Sequence, residues 1–270
     1  MNPSVLQVTN RVGLTSLNLS RNSALLTLPV ALSRLVALEE LDLSECRALR
    51  VLPPALGALS RLRVLGTAQC TALRSPPRDV LLLGVTAATG YLERLRIGGV
   101  SKELFLDSLG LSGATDDAIA DVEGLRLLSA VGNQLEVVST SLSRLALSLT
   151  SIELSDNVLR TLPPELASLT CLTRLGVARN RLEGPTLLGE WASTWCRLRS
   201  LDARNNEELR RLPRGAAARW LALEELQIDA DRFQHPPSEV LRRGARAVVE
   251  FCSRCIRALP FLSYVYKISI

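Results

Sequence analysis

A 24-residue period runs through the first part of the chain. Leu14-x-x-Leu17-x-Leu19-x-x-Asn22, with Leu28-Pro29 behind it, returns as Leu38-x-x-Leu41-x-Leu43-x-x-Cys46 with Leu52-Pro53. It returns again as Leu62-x-x-Leu65-x-Thr67-x-x-Cys70. A fixed period of this size describes units that cannot bury an apolar face alone and so stack on their neighbours. Such an array offers a long surface and no central cavity in which to assemble catalytic groups. Around each L-x-x-L-x-L the residues alternate apolar and polar, as in a strand with one buried face. Proline then fixes φ and favours a turn, and the leucines of Leu28-Pro29-x-x-Leu32-x-x-Leu35 predict a short helix or 3-10 turn packed on the sheet.

The repeats fall into two blocks. In the second, Leu125, Leu149, Leu172, Leu198 and Leu223 open units of 23 to 26 residues. Each block ends on a related segment. Pro76-Pro77-x-x-Val80-Leu81-x-x-Gly84 with Ala87 and Tyr91 matches Pro236-Pro237-x-x-Val240-Leu241-x-x-Gly244 with Ala247 and Phe251 at a constant offset of 160 residues. Both read as a proline turn, a short helix, a glycine and a second amphipathic helix that covers the open end of the array. The organisation expected is a first repeat block with its closing segment over residues 1–100, an irregular bridge over 101–124, a second block over 125–252 and an apolar tail over 253–270. Within the bridge, Glu103 to Leu111 resembles a divergent strand restarting the array. Gly110, Gly113, Asp116, Asp117 and Asp121 read as a polar, mobile connection.

The L-x-x-L-x-L-x-x-(N/C) unit is that of leucine-rich repeats. The fold expected is an α/β leucine-rich-repeat solenoid, a curved horseshoe with a parallel β-sheet on its concave face and short helices or 3-10 turns on the convex side. The closing segment, used once internally and once near the C-terminus, resembles that of the family called leucine-rich-repeat-containing protein 40. This resemblance covers about Leu14 to Phe251. The chain departs from it in having few repeats before the first closing segment and a tail that does not continue as a charged helix. The resemblance implies an intracellular interaction protein with no activity of its own.

Composition agrees with a solenoid core of leucine and alanine, since 47% of residues are hydrophobic but only 4% aromatic. The net charge of +5 is spread over 32 basic and 27 acidic side chains. That excess, with no basic run interleaved with aromatics, does not point to nucleic acid. The opening residues lack the layout of a secretory signal, and no stretch is apolar enough to span a bilayer, so no membrane contact is expected. Cys46 and Cys70 take the place that Asn22, Asn133, Asn157 and Asn180 hold elsewhere, and no cysteine cluster caps the N-terminal end. Reduced thiols and a cytoplasmic location are therefore expected. Cys252-x-x-Cys255 has no second pair, and the chain has one histidine, His235, beside Pro236. No metal or cofactor site is read from these residues. No nucleophile elbow, phosphate loop or dinucleotide fingerprint is present, which argues against an enzyme. The carboxylate pairs Glu39-Glu40 and Glu224-Glu225 follow the repeat and are read as exposed, without strongly shifted pKa values.

Functional information is expected at the third, fifth, seventh and eighth places of each unit, which the alternation directs away from the core. Acids outnumber bases there although the whole chain is basic. Glu40, Asp42, Glu45, Glu153 and Asp156 are the candidate acidic contacts, continued by Asp202, Glu225 and Asp229, with Arg174, Arg179 and Arg204 as a second, mixed patch. Val64, Gly66 and Ala68, and Leu127, Ser129, Val131 and Gly132, would form small, weakly polar patches where an apolar anchor could approach. The function read from this pattern is a monomeric, non-catalytic scaffold whose concave face binds a protein with a basic surface. The alternatives are a regulatory subunit of a small GTPase or phosphatase, and a fragment of a larger leucine-rich-repeat enzyme.

Overall fold

The computed structural model describes residues 13–182 and 190–265. They fall into two compact units, one of residues 13–111 and 116–122, the other of 112–115, 123–182 and 190–265.

In the first unit, β1 (Ser16–Asn18), β2 (Glu40–Asp42) and β3 (Val64–Gly66) form a parallel sheet with Leu17, Leu41 and Leu65 in register. The strands are short because local side chains end them. Asn18 Oδ1 accepts from the Ser20 amide at 2.8 Å and Asp42 Oδ1 from the Ser44 amide at 2.9 Å, closing turns at the strand exits. Arg21, Glu45 and Gln69, one place further on, then adopt the left-handed region with φ of 63, 63 and 58°. The chain returns through 3-10 turns at Val30–Arg34 and Pro54–Ala58, each entered from proline. Leu28, Leu32, Leu35, Leu38, Leu41 and Leu43 are buried between turn and sheet.

The first closing segment consists of α1 (Arg78–Leu82), Gly84 at φ 98° and α2 (Val85–Ser101). Helix α2 packs on the Pro54–Ala58 turn and buries Tyr91, Leu92 and Leu95. The approach is close at Gly57, where a Cβ would lie 2.3 Å from the Glu93 backbone nitrogen. After α2 the chain forms β4 (Glu103–Phe105).

The second unit opens with β5 (Ser112–Ala114), which pairs in parallel with β7 (Gln134–Val137). Its main sheet contains β6 (Leu127–Ser129), β8 (Ser151–Glu153), β9 (Arg174–Gly176), β10 (Ser200–Asp202) and β11 (Glu225–Gln227), parallel neighbours in that order. Leu128, Ile152, Leu175, Leu201 and Leu226 stay in register across it. Behind the sheet run 3-10 turns and α3 (Arg214–Ala217). The second closing segment is α4 (Ser238–Leu241), Gly244 at φ 89° and α5 (Ala245–Val265). Ser75-Pro76 and His235-Pro236 are both cis, so the two segments share their entry geometry at the spacing read from the sequence. His235 packs its ring 5.4 Å from that of Phe251.

An asparagine ladder joins the repeats of the second unit. Asn157 Nδ2 donates to the carbonyls of Leu154 in its own repeat (3.0 Å) and Ala130 in the previous one (2.9 Å). Its Oδ1 accepts from the Leu135 amide at 2.9 Å. Asn180 repeats the pattern with Leu154, Val177 and Leu159, and Asn206 with Val177, Ala203 and Leu182. In the first unit the thiols of Cys46 and Cys70 point at the Leu19 and Leu43 carbonyls, 3.2 and 3.0 Å away.

Two expectations need correction. The connection over 101–124 is not polar throughout. Residues Asp117–Asp121 form a 3-10 turn, and Ala118, Ile119, Ala120 and Val122 are buried. Asp116 is itself buried and begins that turn by accepting from the Ala118 amide. The segment after residue 252 is not a separate tail as far as it is described, because α5 continues through it to Val265. Residues 266–270 lie outside the described residues.

Candidate interaction surface

The positions read from the sequence as solvent-facing do not behave alike. On the first unit's sheet, Glu40 is exposed on β2 and accepts from the Ser16 hydroxyl at 3.2 Å. Asp42 is half-buried, and the Ser44 hydroxyl and amide beside it hold its carboxyl below the usual aspartate range. Glu45, in the left-handed conformation, meets Arg21 Nε at 3.4 Å. Three acids thus share this face with one arginine.

On the second unit, arginines pair with the candidate acids Asp156 and Asp202. Arg179 forks onto Asp156 and holds its carboxyl below the ordinary range. Arg204 Nη2 lies 2.7 Å from Asp202, whose Oδ1 also accepts from the Arg204 amide at 3.2 Å. Asp229 accepts from the Asn205 amide at 2.6 Å, and Glu225 from the Ser200 hydroxyl at 2.9 Å. Arg174 is exposed on β9 and has no ion pair among the described residues. Glu153, Arg174, Asp202 and Glu225 converge with Arg199 and Glu224 on a depression of about 470 Å³. Asp156, Arg179 and Arg204 do not line it. Exposed pairs of this kind contribute only about 0.2–1 kcal/mol each to stability. Their larger effect is local neutralisation of Asp156 and Asp202, and five acids against three arginines at these places leave this face net negative, as on the first unit.

The small-residue patches also differ from expectation. Ser129, Ser151, Ser155 and Ala178 are buried although their places in the repeat direct them outward. The cause is neighbouring bulk, seen most clearly at Gly176. Glu153, in register with Gly176 on the next strand, lays its carboxylate over that glycine, where a Cβ would lie 2.7 Å from the carboxyl carbon. Asp42 bears the same relation to Gly66. Val64 remains exposed, and Leu127 and Val131 are half-buried.

One buried polar cluster was invisible to sequence reasoning. Tyr91, at 1% exposure on α2, donates its hydroxyl to Asp116 at 2.7 Å. Burial pushes the Asp116 carboxyl above the ordinary aspartate range, against the lowering effect of hydrogen bonds from the Ala118 amide and Tyr91. Burial and the adjoining carboxylate raise the Tyr91 hydroxyl as well. An acid with a raised folded pKa adds stability below its unfolded pKa and loses that contribution as pH rises through the folded value. Asp116→Asn should therefore gain stability relative to wild type as pH rises from 3 towards 7, because the amide never charges. Urea unfolding across that range checks this, and a wild-type-minus-variant difference that is flat with pH would refute it.

No described cysteine is in a disulfide, and Cys46 and Cys252 are buried. Among the described residues, no group of three or more His, Cys, Asp or Glu side chains could hold a metal ion. No described helix is long and apolar enough to cross a membrane.

Short parallel strands at a period of about 24 residues, the asparagine or cysteine at each strand exit and the proline-led turns behind the sheet define a leucine-rich-repeat protein. No protein-family model matches the chain, and no curated protein matches it. Solved structures similar to it include a leucine-rich-repeat protein of Leptospira interrogans, with a TM-score of 0.46 and 22% identity over 86% of this chain and 59% of that one. Another is the leucine-rich-repeat ectodomain of the Arabidopsis thaliana membrane receptor kinase GASSHO1/SCHENGEN3, at 0.40 and 19% over 75% of this chain and 19% of that one. The BIR2 ectodomain of Arabidopsis thaliana matches at 0.39 and 28% over 48% of this chain and 64% of that one. The chain therefore spans less than two thirds of the length of each.

Proposed function

We propose that the chain is a non-catalytic, cytoplasmic scaffold, related to the leucine-rich-repeat-containing protein 40 family, that binds a protein partner on the solvent face of its sheets. The observation that carries this reading is the uncompensated acidity of the first unit's face, where Glu40, Asp42 and Glu45 face only Arg21. One feature supports it further: hydrogen bonds from Ser44 hold the Asp42 carboxyl below the usual aspartate range. Fixed negative charge of this kind attracts a basic surface at long range and sets its register. The second unit's depression around Arg174 adds a place where both signs of charge can be met.

The test is capture with the full chain and with a variant carrying Glu40→Lys, Asp42→Lys and Glu45→Lys, followed by titration of the purified partner at several salt concentrations. The wild type should retain a basic protein, weaken as salt rises, and bind at least about tenfold more tightly than the variant. Equal affinity for wild type and a folded variant would sink the concave-face reading.

A further inference from the structure

The end of the sequence is rich in cations. From Arg242 to the C-terminus it contains Arg242, Arg243, Arg246, Arg254, Arg257 and Lys267 against Glu250 alone, a net +5, of which α5 itself holds +2. The net +5 equals that of the entire chain, so everything before Arg242 is neutral in sum. On α5, Arg246, Glu250, Arg254 and Arg257 are exposed and spaced four, four and three residues apart, which places them along one side of the helix. Glu250 pairs with Arg254 at 2.6 Å, while Arg246 and Arg257 have no ion pair among the described residues.

Beside this stripe lies a cleft of about 860 Å³, bordered by Arg246, Val249, Arg254 and Arg257 on the helix and by Leu221 and Leu223 opposite. Leu221 is 80% exposed. Further along, the sequence runs Leu259, Phe261, Leu262, Tyr264 and Val265 with no acidic residue. Cations beside exposed aliphatic surface, on a helix too polar to cross a bilayer, are the composition of an element that lies in a membrane interface.

We propose that α5 and the Leu221 turn form a docking surface for an anionic lipid bilayer, with arginines on the headgroup phosphates and Leu221 in the acyl boundary. A bilayer is favoured over an acidic protein because the cations Arg246, Arg254 and Arg257 adjoin the exposed side chain of Leu221. The proposal is independent of the acidic sheet face of the first unit. It departs from the absence of membrane contact expected from the sequence, which was argued only against a spanning segment.

The full chain is tested by sedimentation with phosphatidylserine-containing phosphatidylcholine vesicles, with pure phosphatidylcholine vesicles and with polyglutamate. Binding to the anionic vesicles alone, released by salt, is the expected result. Each arginine near such a surface contributes about a fivefold change in partition, so Arg246→Gln with Arg254→Gln and Arg257→Gln should weaken binding roughly a hundredfold. Leu221→Ser should weaken it by about tenfold. Those arginines are exposed, so circular dichroism should be unchanged. Should the triple variant fail to fold, the Leu221 variant and the wild-type salt dependence still decide. Equal binding to neutral vesicles, unchanged binding by either folded variant, or capture by polyglutamate without vesicle binding would overturn the assignment.

Discussion

Trp195→Ala should cost about 3–5 kcal/mol in unfolding free energy, among the largest effects available in this chain. Trp195 is wholly buried and donates its indole N–H to the Leu166 carbonyl of the previous repeat at 2.9 Å. Trp220 does the same to the Ala192 carbonyl at 3.0 Å. Leu166 and Ala192 each lie three residues before the matching place in their own repeats, which leucine holds at Leu35, Leu59 and Leu169. The two indoles therefore fill the core and tie consecutive turns together where the helical side of the array has few backbone bonds between repeats. Alanine would leave a cavity at an interface on which neighbouring repeats depend, while the Leu166 carbonyl keeps its bond from the Leu169 amide at 3.0 Å. Trp195→Phe keeps most of the bulk and should lose only about 1 kcal/mol, the hydrogen bond's share. Urea unfolding of both variants checks this. If the alanine variant lost no more than the phenylalanine one, the packing argument would fail.

These tryptophans show where the sequence stopped being readable. The strands, the left-handed turns and the proline entries were legible because leucine, asparagine and proline recur at fixed places, and each type has one mechanical use there. Trp195 and Trp220 occupy a leucine position, and only the packed interior shows that tryptophan can serve there while reaching a carbonyl one repeat away. Asn206 holds the same place in its repeat as Asn180 and was also missed, although Leu198 and Leu201 ahead of it keep the regular spacing. Asp116 was misread because its neighbours Asp117 and Asp121 are polar, and nothing local predicts that Tyr91, 25 residues earlier, would bury and bond it.

The surface was legible in position but not in its pairing. Every candidate acid and arginine lies on or beside a strand, as the alternation required. What the alternation could not supply was the bookkeeping between repeats. Asp156 and Arg179 are 23 residues apart in sequence and adjacent in the array, so they cancel. Burial of Ser151 and Ala178 likewise depends on the reach of side chains from neighbouring strands. A solenoid's face has to be read across repeats, column by column, before its net charge means anything.

The second large effect is expected at the asparagine ladder. Asn157→Ala removes donors to Ala130 and Leu154 and the acceptor for the Leu135 amide. The two carbonyls keep other partners, since Asn133 donates to Ala130 at 3.0 Å and Asn180 to Leu154 at 3.0 Å. The Leu135 N–H loses its acceptor, and a buried amide left in that state costs about 1–3 kcal/mol. With the lost bonds the total should be about 3 kcal/mol. Cys46→Ala in the first unit should cost less, because a thiol's bonds, such as that to the Leu19 carbonyl, are weak. Asn157→Asp has nearly the same shape and separates volume from hydrogen bonding. It would aim a carboxylate at the Ala130 and Leu154 carbonyls, so it should be at least as damaging as alanine at neutral pH and recover partly in acid, where a protonated carboxyl can donate. Unfolding midpoints for the three variants at two pH values give the comparison. An Asn157→Ala loss no larger than that of Cys46→Ala would mean that the ladder fills space without holding the repeats together.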